Sequence, residues 1–216
     1  MHEQSYPAST TDFAAVLRTA QATDADVVFV AALQSDSVGI VRAAKQIGLS
    51  PKIFGGAMLG LEPISAKARL GPALDGIVIV GNLAPQSIPH FPGAANVLER
   101  YRALAAGHPV DQFGFEVAPF AYAAGQILAQ AVEGSGSLES DTLAEYMHEH
   151  KFDTVVGPIE YGRNGEWNEA RTVVTQFQHV SDDSSDQFSD GKVQPILWPQ
   201  QHKTGNLIYP YSSAQR

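Results

Sequence analysis

DADVVFVAALQSDSVGIVRAAKQIGLSPKIFGG, residues 24–56, decides the fold class. Residues 27–33 form a continuous run of β-branched and other apolar side chains bounded by polar residues, the pattern of a strand covered on both faces in a parallel sheet. In the segment that follows, Val38, Val41 and Ala44 share one helical face with Ile47 beside it, and Ser35 or Asp36 is placed to cap the start. Gly48 stands where a left-handed residue closes a helix ahead of Pro51. KIFGG, residues 52–56, reads as a second strand ending in glycines. Strand, helix, strand with short links is βαβ syntax and implies a parallel sheet with right-handed crossovers.

Upstream, Phe13, Val16, Leu17 and Ala20 recur at helical spacing after Thr10, Thr11 and Asp12, any of which can cap, so a helix is expected to about Thr23. Downstream, residues 57–74 are expected to hold one short helix, and Gly76 to Asn82 a third apolar strand. APQSIPHFPG, residues 84–93, carries three prolines and suits a crossing linker, so a domain boundary is placed there. Helices follow at Ala94 to Ala106, Ala118 to Glu133 and Ser140 to His150, the second so rich in alanine and aromatics that it reads as buried. Thr154 to Tyr161 and Arg171 to Val180 alternate like strands around Arg163-Asn164-Gly165, whose Asn-Gly pair suits a hairpin turn. SDDSSDQFSDGK is a polar loop, and KVQPILWP a last short strand before a loose tail.

Composition narrows the function. The chain has 216 residues, 44% of them hydrophobic, enough for a substantial core in one large domain or two small ones. Fourteen basic residues against 23 acidic ones give a net charge of −9 and no basic patch, which argues against nucleic acid as a partner. No apolar run approaches the ~18 residues of a bilayer-spanning helix, so direct membrane insertion is not expected. The absence of cysteine removes disulfides, thiolate catalysis and cysteine-ligated zinc. MHEQSYPASTTDF has neither a basic nor an apolar leader region, so the chain as written carries no secretory signal.

Several groups imitate catalytic or metal sites. Glu160, Glu166 and Glu169, with Arg163, sit around a solvated turn, whereas acid–base work needs a desolvated cleft. His148 and His150 lie two apart on a helix and point to different faces, unlike the i, i+4 pair that holds zinc. Asp182, Asp183, Asp186 and Asp190 lack the spacing and terminal glutamate of a calcium loop. No GxSxG, P-loop or GxGxxG is present. The expectation is therefore no enzyme, no cofactor and no metal. In an open parallel sheet, ligands bind beyond the carboxyl ends of the strands, where Gln34-Ser35-Asp36 and Gly55-Gly56-Ala57-Met58 stand. These residues read equally well as tight βα turns.

YPASTTDF, DADVVFVAALQSDSVGIVRAAKQIGL, KIFGG, TVVGPIEYGRNGEW and TQFQ, in that order, resemble the second half of the branched-chain amino-acid-binding proteins, substrate-binding components of ABC importers. The resemblance runs from about Tyr6 to Tyr211. It implies part of a two-lobed α/β fold, the type I periplasmic-binding-protein fold with parallel sheets flanked by helices, its amino-terminal part missing. Residues 6–82 correspond to a second-lobe α/β segment, 83–153 to a crossing linker and first-lobe helices, and 154–216 to a hairpin, hinge-crossing strands and tail. The glutamates of the hairpin are then scaffold. A small organic ligand, such as a branched-chain amino acid or an aromatic or aliphatic carboxylate, is held between closing lobes. The implied ligand-binding residues are Leu33, Gln34, Ser35, Asp36, Gly56, Ala57 and Met58. Met58 falls where amino-acid-binding members carry the carboxylate for the ligand's ammonium, which favours an apolar or aromatic ligand group. The implied partner is a membrane permease and the implied location the periplasm. The missing signal peptide and first-lobe segments point to a truncated version, whose exposed sheet edges invite self-association. A ligand-sensing regulatory domain on the same fold is the alternative.

Overall fold

The computed structural model describes all residues except Gln112, Glu116, Ala170 and Arg216, and of Gln34 and Pro92 it describes only the backbone. Its contacts group Met1–Gln86 with Val173–Arg216 in a first unit, and Ser87–Thr172 in a second.

The first unit is built on a five-stranded sheet of order β1-β2-β3-β6-β7. β1 (Val27–Ala32), β2 (Ile53–Met58) and β3 (Val78–Gly81) run parallel, β6 (Val173–Gln176) runs antiparallel to β3, and β7 (Ile196–Trp198) antiparallel to β6 and so in the direction of the first three. The expected βαβ order is present, but β1 is not covered on both faces: it is the edge strand, with Val27 and Phe29 54% and 65% exposed. α1 (Phe13–Gln21) is capped by Asp12, whose Oδ1 accepts from the Ala15 N–H at 3.2 Å. α2 (Gln34–Ile47) buries Val38, Ile40, Val41 and Ala44, and its end is closed by Gly48 at φ 64°. Burying a side chain the size of Val or Ile contributes roughly 1.5–3 kcal/mol, so this face anchors the helix far more than its caps do. The cap assigned to Ser35 or Asp36 falls elsewhere. α2 starts two residues earlier than a Ser35 cap and three earlier than an Asp36 cap would place it, Leu33 is the N-cap without a side-chain bond, and both polar residues lie in the first turn. α3 (Ile64–Leu70) joins β2 to β3.

Glycine is obligatory in β2. A Cβ on Gly55 would collide with the Val78 carbonyl of β3, and one on Gly56 with the Val30 carbonyl of β1. Both residues have positive φ, 148° and 139°, so the strand threads between its neighbours with no room for side chains at these points.

Buried polar side chains tie distant segments of this unit together. The Lys67 ammonium of α3 donates to Gln194 Oε1 at 3.1 Å, lies 3.7 Å from Glu62 and sits 5.8 Å above the Phe177 ring. The Gln194 amide donates onward to Thr175 Oγ1 of β6 at 3.0 Å. The Gln176 side chain donates to the carbonyls of Gly76 and Ile208, both at 3.0 Å, and accepts from the Ile208 N–H at 2.8 Å. It thereby holds the carboxyl-terminal tail as a neighbouring strand would.

The second unit holds α4 (Pro92–Ala105), α5 (Ala118–Ser135) and α6 (Ser140–Glu149), with β4 (Phe152–Thr154) and β5 (Gly157–Ile159). Its core is Ala123, Ile127 and Ala131 of α5 against Phe152, Val156 and Ile159. Two expectations are corrected here. The hairpin does not pair residues 154–161 with 171–180: β4 pairs with β5, and a short pairing around Tyr161–Trp167, with the Gly162 and Asn168 N–H groups donating to the Glu166 and Glu160 carbonyls at 2.7 and 2.9 Å, flanks Asn164-Gly165. The reason lies in Arg171, whose guanidinium donates to the Val156 and Pro158 carbonyls at 3.1 and 2.9 Å, taking acceptors that a pairing strand would need. Residues 173–176 pair with β3 and β7 instead. Nor is α5 wholly buried. One stripe faces the core and the opposite one faces solvent.

Candidate functional site

β1 and β2 end side by side, Ala31 opposite Ala57 and Ala32 opposite Met58, so the two stretches read as a ligand edge are neighbours in space. Beyond β1 the chain turns at Leu33 into α2, and the Leu33 carbonyl accepts from the Asp36 and Ser37 N–H groups at 3.0 and 3.3 Å. Leu33 makes no side-chain cap bond, and the start of α2 presents the partial positive charge of a helix N-terminus at this edge.

A residue outside the expected set fastens the edge together. Ser37, fully buried, donates its hydroxyl to the Ala32 carbonyl at 3.1 Å and accepts from the Gly60 N–H at 3.1 Å. It therefore bolts the end of β1 to the turn after β2. Its sequence signal is a serine on the helical face otherwise made by Val38, Val41 and Ala44, read only as part of a polar helix start.

The expected residues separate into groups. Leu33 is 67% exposed and Ser35 is exposed, while Asp36 and Ala57 are half-buried. The Gln34 side chain lies outside the described residues. Gly56 is explained by the close passage of β1 without reference to a ligand. Met58 has none of its surface exposed, which leaves Ala57 and Leu59, itself 49% exposed, as the outward side chains of that loop. The Asp36 carboxylate accepts a hydrogen bond from the Tyr6 hydroxyl; burial first, and Asp36 second, push the Tyr6 pKa up. Tyr6 in turn packs edge-on against Phe13, with ring centroids 5.4 Å apart.

The edge thus offers two exposed leucines, a serine hydroxyl, a helix start and one carboxylate. Within this set the hydroxyl–carboxylate contact is between chain neighbours, Ser35 Oγ donating to Asp36 Oδ1 at 3.4 Å. Two cavities, of about 270 Å³ beside β1 and about 620 Å³ between α4 and α5, include none of the seven residues.

The groups that imitate catalysis are occupied otherwise. Glu160 pairs with Lys151 at 3.0 Å with both side chains about half exposed. The His150 ring donates Nδ1–H to the Tyr146 carbonyl at 2.8 Å and stacks on the Tyr146 ring at 3.7 Å, finishing the end of α6. Asp182 and Asp190 accept from the Ser184 and Lys192 N–H groups at 2.8 and 3.0 Å, as loop-turn residues do. The Lys192 ammonium beside it holds Asp190 below the ordinary carboxylate range. Among the described residues no three His, Asp or Glu side chains are grouped to hold a metal ion.

A parallel-rich α/β sheet whose first two strands end together at one edge is the frame of the site. The chain belongs to the periplasmic binding protein family, whose profile matches residues 1–184. An amino acid binding protein from Pseudomonas aeruginosa is 26% identical over 166 residues, 77% of this chain and 42% of the relative. A crystal structure of a leucine binding protein from Thermotoga maritima superposes with a TM-score of 0.65 at 21% identity, covering 82% of this chain and 48% of that one. A solute binding protein of an ABC transporter from Rhodopseudomonas palustris, solved with p-hydroxybenzoic acid, superposes at 0.61 with 19% identity, covering 81% and 47%. These structural likenesses establish the fold, and the chain spans about half the length of the proteins it matches.

Proposed function

We propose that this chain is the solute-binding component of an ABC importer, or part of one, working in the periplasm with a membrane permease. Its ligand is a small organic molecule, a branched-chain amino acid or an aromatic or aliphatic carboxylate. The observation that carries the reading is the in-register meeting of the β1 and β2 ends, within a family of binding proteins. Leu33, Gln34, Ser35, Asp36 and Ala57 are the contact residues, with Gly56 letting the backbone pass and Met58 backing the loop from beneath. Leu33 supplies an apolar wall, the α2 start favours a ligand carboxylate, and Asp36 accepts from a ligand donor. The assignment of residues 6–82 to a second lobe, 83–153 to a linker and first-lobe helices, and 154–216 to hairpin, crossing strands and tail is part of the same proposal.

Thermal unfolding with a panel of branched-chain amino acids and benzoates tests it. A ligand at a hundred times its dissociation constant adds about 2.7 kcal/mol of stability and moves the midpoint by a few degrees. One compound is expected to produce that shift, and Asp36→Ala or Leu33→Glu to abolish it while leaving the unliganded midpoint in place. A panel without effect on the chain and on a full-length relative-sized version removes the proposal; a shift that survives both substitutions relocates the site.

A further inference from the structure

Ser37 opens the buried face of α2, ahead of Ile40, Val41 and Ala44, and is the polar member of that group. A hydroxyl buried there is costly unless it is paired. A serine inside a helix ordinarily returns its hydroxyl to the carbonyl three or four residues back. Ser37 reaches five back, past the N-cap, to the Ala32 carbonyl at the end of β1, and its oxygen accepts from the Gly60 N–H 23 positions ahead, both at 3.1 Å. Local helix chemistry does not account for this pairing.

What the two bonds enclose does. The Ser37–Ala32 bond closes a loop whose members are Leu33, Gln34, Ser35 and Asp36, the residues proposed to meet the ligand from the β1 side. The Ser37–Gly60 bond fixes the turn that follows Ala57 and Met58 on the β2 side. Ala32 stands opposite Met58 in the parallel register, which completes a ring through β1, α2 and the turn after β2. The proposed contact residues lie on that ring or beside it, and the side chain that closes it belongs to none of them.

The turn needs such a hold. Leu59–Leu61 is a single 3₁₀ turn, a geometry with poor hydrogen bonds of its own, closed by the Glu62 N–H donating to the Leu59 carbonyl at 3.3 Å. Met58 and Leu61 are fully buried on either side, so Leu59 projects from a segment anchored at both ends and fastened by Ser37 between them.

We propose that Ser37 is a positioning residue: by joining Ala32 to Gly60 it makes the two halves of the ligand edge one rigid body, so that a ligand meets preformed walls, Leu33 on one side and Ala57 with Leu59 on the other. A preformed site binds more tightly because less freedom is lost when the ligand arrives. The effect on affinity rests on the solute-binding reading; the coupling is measurable without any ligand.

The chain has no cysteine, so spin labels can be placed at Leu33→Cys and Leu59→Cys, two exposed leucines, and the dipolar broadening between them followed by continuous-wave EPR. Thr175→Val is the comparator, since it removes one buried bond of the same unit, the one from Gln194 at 3.0 Å, on β6. Ser37→Ala is expected to replace one label distance by a spread of distances. In unlabelled chains it should speed exchange of the Gly60 amide at least about tenfold relative to that of Ala44 in the middle of α2, and Thr175→Val should do neither. Should Ser37→Ala not fold, Ser37→Cys, a weaker donor and acceptor at the same place, is read by Gly60 exchange. With leucine and benzoate as probes, the one that raises the parent's unfolding midpoint should bind unlabelled Ser37→Ala at least about tenfold more weakly and Thr175→Val as it binds the parent. If neither probe raises it, the solute-binding reading loses its support and the labels and the Gly60 amide decide the coupling. Label broadening and Gly60 exchange in Ser37→Ala that match those of Thr175→Val overturn the coupling. A loosened edge that keeps the parent's affinity overturns the positioning role.

Discussion

The two units are held together by different chemistry. The first buries Ser37, Lys67, Asp75, Thr175, Gln176, Gln178 and Gln194, and their bonds reach across long stretches of sequence, as from Lys67 to Gln194 or Gln176 to Ile208. The second packs apolar side chains of α5, α6 and the short β4–β5 pair, and its polar ties, such as Gln126 Oε1 accepting from the Val155 N–H at 2.9 Å or Arg171 donating to the Val156 carbonyl, join segments nearer one another in the chain. Buried polar groups are costly unless paired, so the first unit tolerates few alternatives to its one arrangement. Apolar packing is less directional, and the second unit is the one that leaves a helix face open.

The contrast can be broken first at Gly55. Gly55→Ala puts a methyl into the Val78 carbonyl on a backbone that side chains rarely adopt, and is expected to abolish cooperative unfolding of the first unit, followed by circular dichroism. In the second unit, Phe152→Ala removes a ring with 1% of its surface exposed and is expected to cost about 3–5 kcal/mol, read from chemical denaturation.

Alkaline pH separates the units without any mutation. Burial, and then the nearby Asp75 carboxylate, push the Tyr211 phenol up to about 12 from its ordinary 10. The unfolded chain therefore loses this proton first: stability present below pH 10 falls as the pH rises and is gone by about pH 12. The shift corresponds to roughly 2–3 kcal/mol. Tyr211→Phe keeps the ring against Phe54 and should flatten this part of the stability–pH curve. The smallest effect belongs to Gly125→Ala: a Cβ there meets nothing within 4 Å, and the change is expected to stabilise the chain by about 0.5–1 kcal/mol through helix propensity alone. A destabilised variant would show that the second unit needs that glycine for itself.

The same contrast governs what could be read in the sequence. The βαβ units were legible because each signal is local: an apolar run, a helical face, a glycine at the right place after it. The strand at Val173–Gln176 was legible as a strand, but its partners were not. The Asn-Gly turn suggested a hairpin, and nothing local reveals that the Arg171 side chain claims the acceptors of β5. Of the site, the meeting of the two strand ends followed from parallel order. The burial of Met58 and the double role of Ser37 did not, since each depends on contacts made only when β1, α2 and the turn after β2 are assembled. Asp75 was missed for a like reason: its Oδ1 accepts from the Val180 N–H at 2.9 Å, a partner 105 positions away.

The first unit is interrupted in sequence, Met1–Gln86 waiting for Val173–Arg216, whereas Ser87–Thr172 is continuous. On the ribosome this reverses the usual amino-to-carboxyl order of folding. The inserted unit has all its residues while β3 still lacks β6, and the apolar edge of β3 stays open during the seconds needed to synthesise the remainder. The exposure lasts until residues 173–176 pair with β3, and the segment clasped by Gln176 and Gln178 then locks that pairing in place.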